Sequence, residues 1–205
     1  MAGLPILGVN PVDDPQVFQT LVALQNMARQ MEWHFWNGTY QADADSTTAG
    51  QMKGLVSGIT TNSVNAAAAV LTDAMFEEAL QKILDNGGGA GNLVAFTNNL
   101  VGKLNKIYGH APSDRTIGGV NIKQIETPFG NTGLMYSPDV PAGQIFILDL
   151  SLVAPVFLPV PNKGRVFEEE KYSAGASIGT MLYSQASLTW GTEKRHAKII
   201  NAVKA

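Results

Sequence analysis

The sequence has no cysteine, and this absence rules out several kinds of chemistry. With none among 205 residues, the chain cannot form a disulfide framework, a thiol nucleophile or a metal site with cysteine ligands. It also has no apolar run approaching the roughly 18 residues that a membrane span needs. Its N-terminus lacks the basic segment that opens a secretory signal. Without a candidate span or signal, we predict no contact with membranes. Hydrophobic residues make up 45% of the chain, so we predict an ordered core.

Charge is also scarce. Charged residues are 15% of the chain, whereas a soluble domain typically has about 25%. Two explanations remain open: a surface coated with uncharged polar side chains, or a surface that is buried against other subunits, whose interface cores are depleted in charge. The net charge of −3 is unevenly spread, with an acidic excess in residues 1–100 and a basic excess in 101–205. No strong basic stripe is present, so sequence-specific binding of nucleic acid is not predicted.

One long amphipathic helix is predicted near the start of the chain. Asp14 and Pro15 suit its N-cap and first position, and Asn37-Gly38 suits its end. Apolar residues recur at alternating spacings of four and three, which places them on one face: Val17, Leu21, Leu24, Ala28, Met31 and Phe35. Trp33 and Trp36 widen this face near the C-terminal end. We therefore predict one unbroken helix over 15–36, with both tryptophans packed.

The rest of the chain predicts an α+β protein, with helices early and strands late. A short strand is predicted at Leu55–Ile59, a helix after a Thr72 cap, a buried strand at Leu93–Phe96 and a third helix over about 100–108. Turn residues then separate seven predicted strands, which lie at 117–127, 132–137, 144–150, 152–158, 165–172, 176–191 and 196–203.

The segment Gly175-Ala-Ser177-Ile-Gly179 spells the Gly-x-Ser-x-Gly turn that carries the nucleophile of many hydrolases. An acid and a histidine follow it, as that chemistry requires, at Glu193 and His196. However, those two lie only three residues apart, and the residues after Gly179 read as a strand rather than a helix. We favour small residues within a strand and retain a serine hydrolase as the alternative.

No other motif is complete enough to carry chemistry. The glycine-rich Gly87–Gly91 follows a predicted helix and lacks a Gly-Lys-Ser/Thr sequence, so it predicts a helix-to-strand turn. The calcium-loop-like start at Asp43 and Asp45 lacks the required glycine and glutamate. Three histidines lie far apart with no ligand spacing: His34, His110 and His196. We therefore predict no catalytic, cofactor-binding or metal site, and no cofactor.

The order of the segments is nevertheless informative. A long helix ends in Glu32-Trp-His-Phe-Trp-Asn-Gly38 and is followed by Gly54-Leu-Val-Ser-Gly-Ile59. The later segments are Thr127-Pro-Phe-Gly130, Met135-Tyr-Ser-Pro-Asp139, Ile145-Phe-Ile-Leu-Asp149 and Gln185-Ala-Ser-Leu-Thr-Trp-Gly191 through His196. Over roughly 14–200, this arrangement resembles the major capsid (head) proteins of tailed bacteriophages.

The resemblance implies the fold shared by tailed-phage heads, encapsulins and the herpesvirus capsid floor. The long helix would be the spine of a peripheral domain made of residues 1–60 and 186–205. Residues 61–185 would form an axial domain, and 186–205 would pair with the strand near 55–59. Only about 13 residues precede the helix, so the N-terminal arm and the extended loop of such proteins are expected to be missing.

The implied function is a non-enzymatic structural subunit of a phage or prophage head. It would self-assemble into pentamers and hexamers of an icosahedral shell, in the host cytoplasm, and become part of the virion. Portal and scaffold proteins are possible partners, and packaged DNA would be contacted without sequence readout. A hydrolase or ligand-binding domain and an encapsulin-like compartment shell are the alternatives.

Overall fold

A computed structural model describes residues 15–43, 50–108, 114–117, 120–172 and 178–204. These residues divide into two compact units. One lies within residues 1–32 and 157–186, and the other within 33–156 and 187–205. Within the parts of the chain that are described, no helix is both long and apolar enough to cross a bilayer.

The first unit contains most of a long helix and a two-stranded hairpin. Helix α1 (Pro15–Asn37) is unbroken, which confirms the predicted helix and its end before Gly38. Strands β8 (Val166–Tyr172) and β9 (Ile178–Ser184) pair antiparallel along their full lengths. The predicted strand over 176–191 is in fact two strands, β9 and β10 (Ala186–Thr189).

The second unit is built on a seven-stranded mixed sheet in the order β1-β11-β6-β2-β5-β4-β3. The central strand is β2, and the five residues of its neighbour β6 are all buried, as expected for an apolar strand covered on both faces. β2 pairs parallel with β5 and antiparallel with β6. The seven strands are β1 (Ser63–Asn65), β2 (Leu93–Thr97), β3 (Asp114–Ile117), β4 (Val120–Thr127), β5 (Gly130–Tyr136), β6 (Ile145–Asp149) and β11 (Ala197–Ile200). A separate pair joins β7 (Ala154–Phe157) to β10.

Two short helices pack their apolar faces against this sheet. In α3 (Asp73–Asp85), Phe76, Leu80 and Ile83 are buried, as the sequence predicts. α4 (Val101–Tyr108) buries Leu104 in the same cluster. Thr72 is the N-cap of α3, but its side chain makes no capping bond. Instead, Asp73 Oδ1 accepts the N–H of Ala74 at 2.9 Å.

The predicted strand at 55–59 is wrong. Residues Leu55–Gly58 form a single helical turn, α2, in which the N–H of Gly58 donates to the carbonyl of Gly54. The predicted pairing of the C-terminal segment with this region is therefore wrong as well. β11 pairs instead with β1 and β6. The short apolar run Leu-Val-Ser-Gly-Ile has no periodicity that separates a strand from a buried helical turn.

The other face of the sheet carries a second apolar cluster, centred on Trp36. Its ring lies 5.4 Å from those of Phe96 and Phe146, centroid to centroid, and only 6% of it is exposed. Trp33, one helical turn earlier, is 48% exposed and makes an edge contact with His34. The prediction that both tryptophans are packed is thus confirmed for Trp36 and wrong for Trp33.

Backbone strain at one edge of the sheet yields a first prediction. Ala67 and Ala68 have positive φ angles of 49° and 63°, a conformation that disfavours any residue with a Cβ. Ala68→Gly is therefore expected to raise the free energy of unfolding by about 1 kcal/mol. The matched control, Ala69→Gly, lacks the positive φ and is expected to lower it by about 0.5 kcal/mol. If urea unfolding shows the same change in the free energy of unfolding for both variants, the backbone at Ala68 is not strained.

Candidate functional site

Of the residues that a hydrolase would need, the structure describes Glu193 and His196. Gly175 and Ser177 lie outside the described residues. Both possible partners are described, and each is occupied by other contacts. Glu193 binds the loop at residues 60–61, whereas the ring of His196 binds backbone groups of Asp149 and Trp190.

The carboxylate of Glu193 holds the loop that leads from α2 to β1. Its Oε1 accepts the N–H of Thr60 and of Thr61, both at 2.5 Å, and the hydroxyl of Thr60 at 2.8 Å. Burial alone would raise the pKa of Glu193, but the N–H bonds from Thr61 and Thr60 outweigh it and lower this pKa to about 2. Glu193 is therefore a structural anion rather than a general acid or base.

The bonds of Glu193 predict a defined acid sensitivity. Because its pKa is lower in the folded chain than the ordinary 4.5, the stabilisation is present above pH 4.5 and is lost as pH falls toward 2. Solvent screens this group, so we expect a loss of only about 1 kcal/mol. Glu193→Gln should remove that part of the pH dependence. Urea unfolding at pH 5 and pH 2.5 tests this, and an unchanged difference in the variant would refute it.

His196 is buried, and both of its ring nitrogens are engaged. Its Nδ1 accepts the backbone N–H of Asp149 at 3.1 Å, and its Nε2 lies 2.6 Å from the carbonyl oxygen of Trp190. Asp149 directs its own carboxylate to Ser151, which donates its N–H and its hydroxyl to Oδ1. This histidine thus has neither the exposure nor a free nitrogen to act as a catalytic base.

The remaining sequence motifs are placed as connections or on the surface. Gly87–Gly91 leads from α3 to a 3₁₀ turn at Ala90–Asn92 and then to β2, which confirms the predicted helix-to-strand turn. Asp43 is exposed, and Asp45 lies outside the described residues. His34 is exposed on α1, and His110 is also outside them. Among the residues described, no group of three or more His, Asp or Glu could hold a metal ion.

The most unusual surface of the chain is on α1. Between Pro15 and Ala28 the helix has no charged residue. Four large apolar side chains in this stretch remain between 39% and 55% exposed, and we call them the α1 apolar face: Val17, Phe18, Leu21 and Val22. The predicted apolar stripe is therefore present, but its N-terminal part is not buried within the chain.

An uncharged apolar helix face is typical of a surface that another molecule covers. Exposed apolar groups gain free energy when they leave water, at about 25 cal/mol per Å². The cores of interfaces between subunits are likewise depleted in charge. A helix also derives most of its stability from packing its apolar face rather than from intrinsic propensity. This surface is the candidate functional site, and its chemistry suits association rather than catalysis.

Comparisons with known proteins agree with this interpretation. The sequence model of the family described as SU10 major capsid protein matches residues 8–203 of this chain. No curated protein has significant sequence similarity to the chain.

Several solved structures have the same fold. The holo-SrpI encapsulin complex from Synechococcus elongatus aligns with a TM-score of 0.65 and 16% identity, over 96% of this chain and 68% of that one. A chain of Mycobacterium phage Patience aligns at 0.62 and 12%, over 94% and 65%. The capsid of cyanophage A-1(L) aligns at 0.63 and 14%, over 93% and 69%. The chain thus spans about two thirds of the length of each of these proteins.

Proposed function

The chain belongs to the SU10 major capsid protein family, and on that premise we propose that its copies associate into pentamers and hexamers of an icosahedral shell. It is a structural subunit of a phage head, a component of the virion capsid. One subunit that presents several different patches can build a closed shell, because symmetry repeats each contact. Many weak contacts then add through multivalency.

The observation that carries the proposal is the α1 apolar face. A shell subunit has to leave apolar surface exposed on its own chain, so that neighbouring copies can bury it. The uncharged stretch from Pro15 to Ala28 meets that requirement. It also favours the second explanation of the low charge content, a surface buried against other subunits.

The domain assignment remains a prediction. Residues 1–60 and 186–205 would form the peripheral domain, and 61–185 the axial domain around the capsomer centre. The unbroken α1 supports a spine helix. However, β11 pairs in one sheet with β1 and β6, which favours counting Ala197–Ile200 with the axial strands.

We further propose that the subunit has no enzymatic activity and encloses DNA without reading its sequence. The carboxylate of Glu193 and the ring of His196 are both bound to backbone groups, which supports the lack of enzymatic activity. The absence of a strong basic stripe in the sequence supports enclosure of DNA without sequence readout. Contacts with portal and scaffold proteins, and assembly in the host cytoplasm, belong to the same proposal. An encapsulin-like shell is the second candidate, because an encapsulin shares the fold.

Sedimentation velocity over a hundredfold range of concentration tests the proposal. We expect discrete oligomers of five or six copies, or larger species, whose share grows with concentration. Packaged nucleic acid in the particles would favour the phage head, and a protein cargo would favour the encapsulin-like shell. A single-chain species at every concentration, together with hydrolysis of a p-nitrophenyl ester, would overturn the proposal.

A further inference from the structure

We propose that His196 is an acid-sensitive latch that fastens residues 190–196 to the end of strand β6, and that protonation of its ring releases this segment. We call residues 190–196 the C-terminal strap. The strap connects β10 to β11 and includes the 3₁₀ turn Glu193–Arg195. The proposal does not rest on the capsid function, because the observations that carry it are hydrogen bonds within one chain.

The two hydrogen bonds of the ring define its protonation state. The carbonyl of Trp190 can only accept, so Nε2 of His196 carries a hydrogen and donates it over 2.6 Å. The backbone N–H of Asp149 can only donate, so Nδ1 has no hydrogen and accepts over 3.1 Å. Only the neutral ring in its Nε2–H tautomer satisfies both partners. The residue is also fully buried, with 0% of its surface exposed.

Protonation of this ring breaks one of the two bonds. A proton on Nδ1 faces the N–H of Asp149, and two donors then oppose each other at the end of β6. The buried N–H loses its acceptor, and an unpaired buried donor is costly. Burial lowers the pKa of His196 below its ordinary 6.5, although the Trp190 carbonyl and the Asp149 carboxylate act in the opposite direction.

Charged groups surround the latch on three elements. Asp149 ends β6, and its Oδ2 lies 4.0 Å from Nη1 of Arg195 in the strap. Glu193 keeps its charge at any pH well above 2 because of its bonds to residues 60–61, so it does not contribute to a change between pH 7 and 5. The other two charged groups of the strap and β11 are Lys194 and Lys198, and Nζ of Lys198 donates to the carbonyl of Val56.

The strap covers part of the apolar cluster around Trp36. The ring of Trp190 packs there and lies so close to Gly58 that a Cβ at that position would be 2.9 Å from its Cζ2. Asn62 also holds the strap, since its Nδ2 donates to the carbonyls of Lys194 and His196. Release of the latch therefore exposes Trp190 and the apolar residues beneath it.

The direction of the pH effect follows from the lowered pKa. Stabilisation by the neutral ring is complete above pH 6.5 and is lost as pH falls through the pKa of the folded chain. Between pH 6.5 and the pKa of His196 in the folded chain, each unit by which the pH falls raises the equilibrium constant for opening of the strap by up to about tenfold.

Nuclear magnetic resonance on the whole chain tests the latch. At pH 7, ring ¹⁵N shifts should show His196 as the neutral Nε2–H tautomer, and the ring should not titrate at pH 6.5. Between pH 7 and pH 5, hydrogen-exchange protection factors of the strap and of the Asp149 amide should fall about tenfold, while those of β2 and β5 should not. A ring that titrates at or above 6.5, or a uniform loss of protection, would overturn the proposal.

Two variants serve as controls. His196→Asn places an amide oxygen near the position of Nδ1 but cannot be protonated, so strap protection should be lower at pH 7 and constant down to pH 5. His34→Gln removes an exposed histidine on α1 and should retain the wild-type pH response. If strap protection in His196→Asn still falls tenfold, the latch is refuted. If that variant does not fold, the ring titration of the wild-type chain decides.

Discussion

Replacement of Leu21 by glutamate is expected to weaken self-association at least about 100-fold, while α1 remains helical. Leu21 is 54% exposed in the chain and lies within the uncharged stretch of α1. If a neighbouring copy covers it, glutamate buries an unpaired charge, which costs several kcal/mol. A 100-fold change corresponds to about 2.7 kcal/mol, so the expected loss is modest for a charge at the centre of an interface.

The matched control is Gln19→Glu, two residues earlier on the same helix. Residues two positions apart are rotated by about 200° around the helix axis, so the side chain of Gln19 points away from that of Leu21. It is already polar and exposed, and its replacement adds the same charge at the same depth along α1. Self-association of this variant should match the wild type in sedimentation velocity. Equal weakening by both variants would point to a net-charge effect and would exclude the α1 apolar face as the interface.

Replacement of Trp36 by alanine is expected to lower the free energy of unfolding by about 3–5 kcal/mol. Trp36 is 6% exposed and packs against Phe96 and Phe146, two residues on adjacent strands of the central sheet. Its removal leaves a cavity at the centre of the second apolar cluster. Because this cluster anchors the end of α1, urea unfolding should show the loss.

Trp33→Ala is the internal control for that experiment. Both variants lose the same side chain from the same helix, one turn apart, but Trp33 is 48% exposed. We expect its replacement to change the free energy of unfolding by about 0.5 kcal/mol. Comparable losses in the two variants would mean that the side chain of Trp33 is packed as closely as that of Trp36.

The sequence predicted best those elements whose pattern is long or strongly periodic. α1 has six apolar positions at helical spacing and clear signals at both ends, and α3 has a buried face that the spacing identifies. The predicted strand at Leu55–Ile59 failed because five apolar and small residues fit a strand or a helical turn equally well. The prediction that Trp33 is packed was wrong for another reason. Helical spacing identifies a face, but the extent of its burial depends on which elements reach that part of the helix.

The candidate site was only partly predictable for a related reason. The apolar residues of α1 and the low charge content were visible in the sequence, and they indicated a surface covered by other subunits. The role of His196 was not. Its partners, Asp149 and Trp190, lie 47 and 6 residues away, and they meet only because β11 pairs with β6. No spacing rule connects a histidine to backbone groups that distant strands bring together.

Electron microscopy of the purified chain would show whether it assembles into a shell in which a neighbouring copy covers the α1 apolar face. We expect rings of five or six subunits, or closed shells, in which density from an adjacent copy covers Leu21 and Phe18. Isolated single chains at high protein concentration, or assemblies in which the α1 apolar face remains open to solvent, would contradict this expectation.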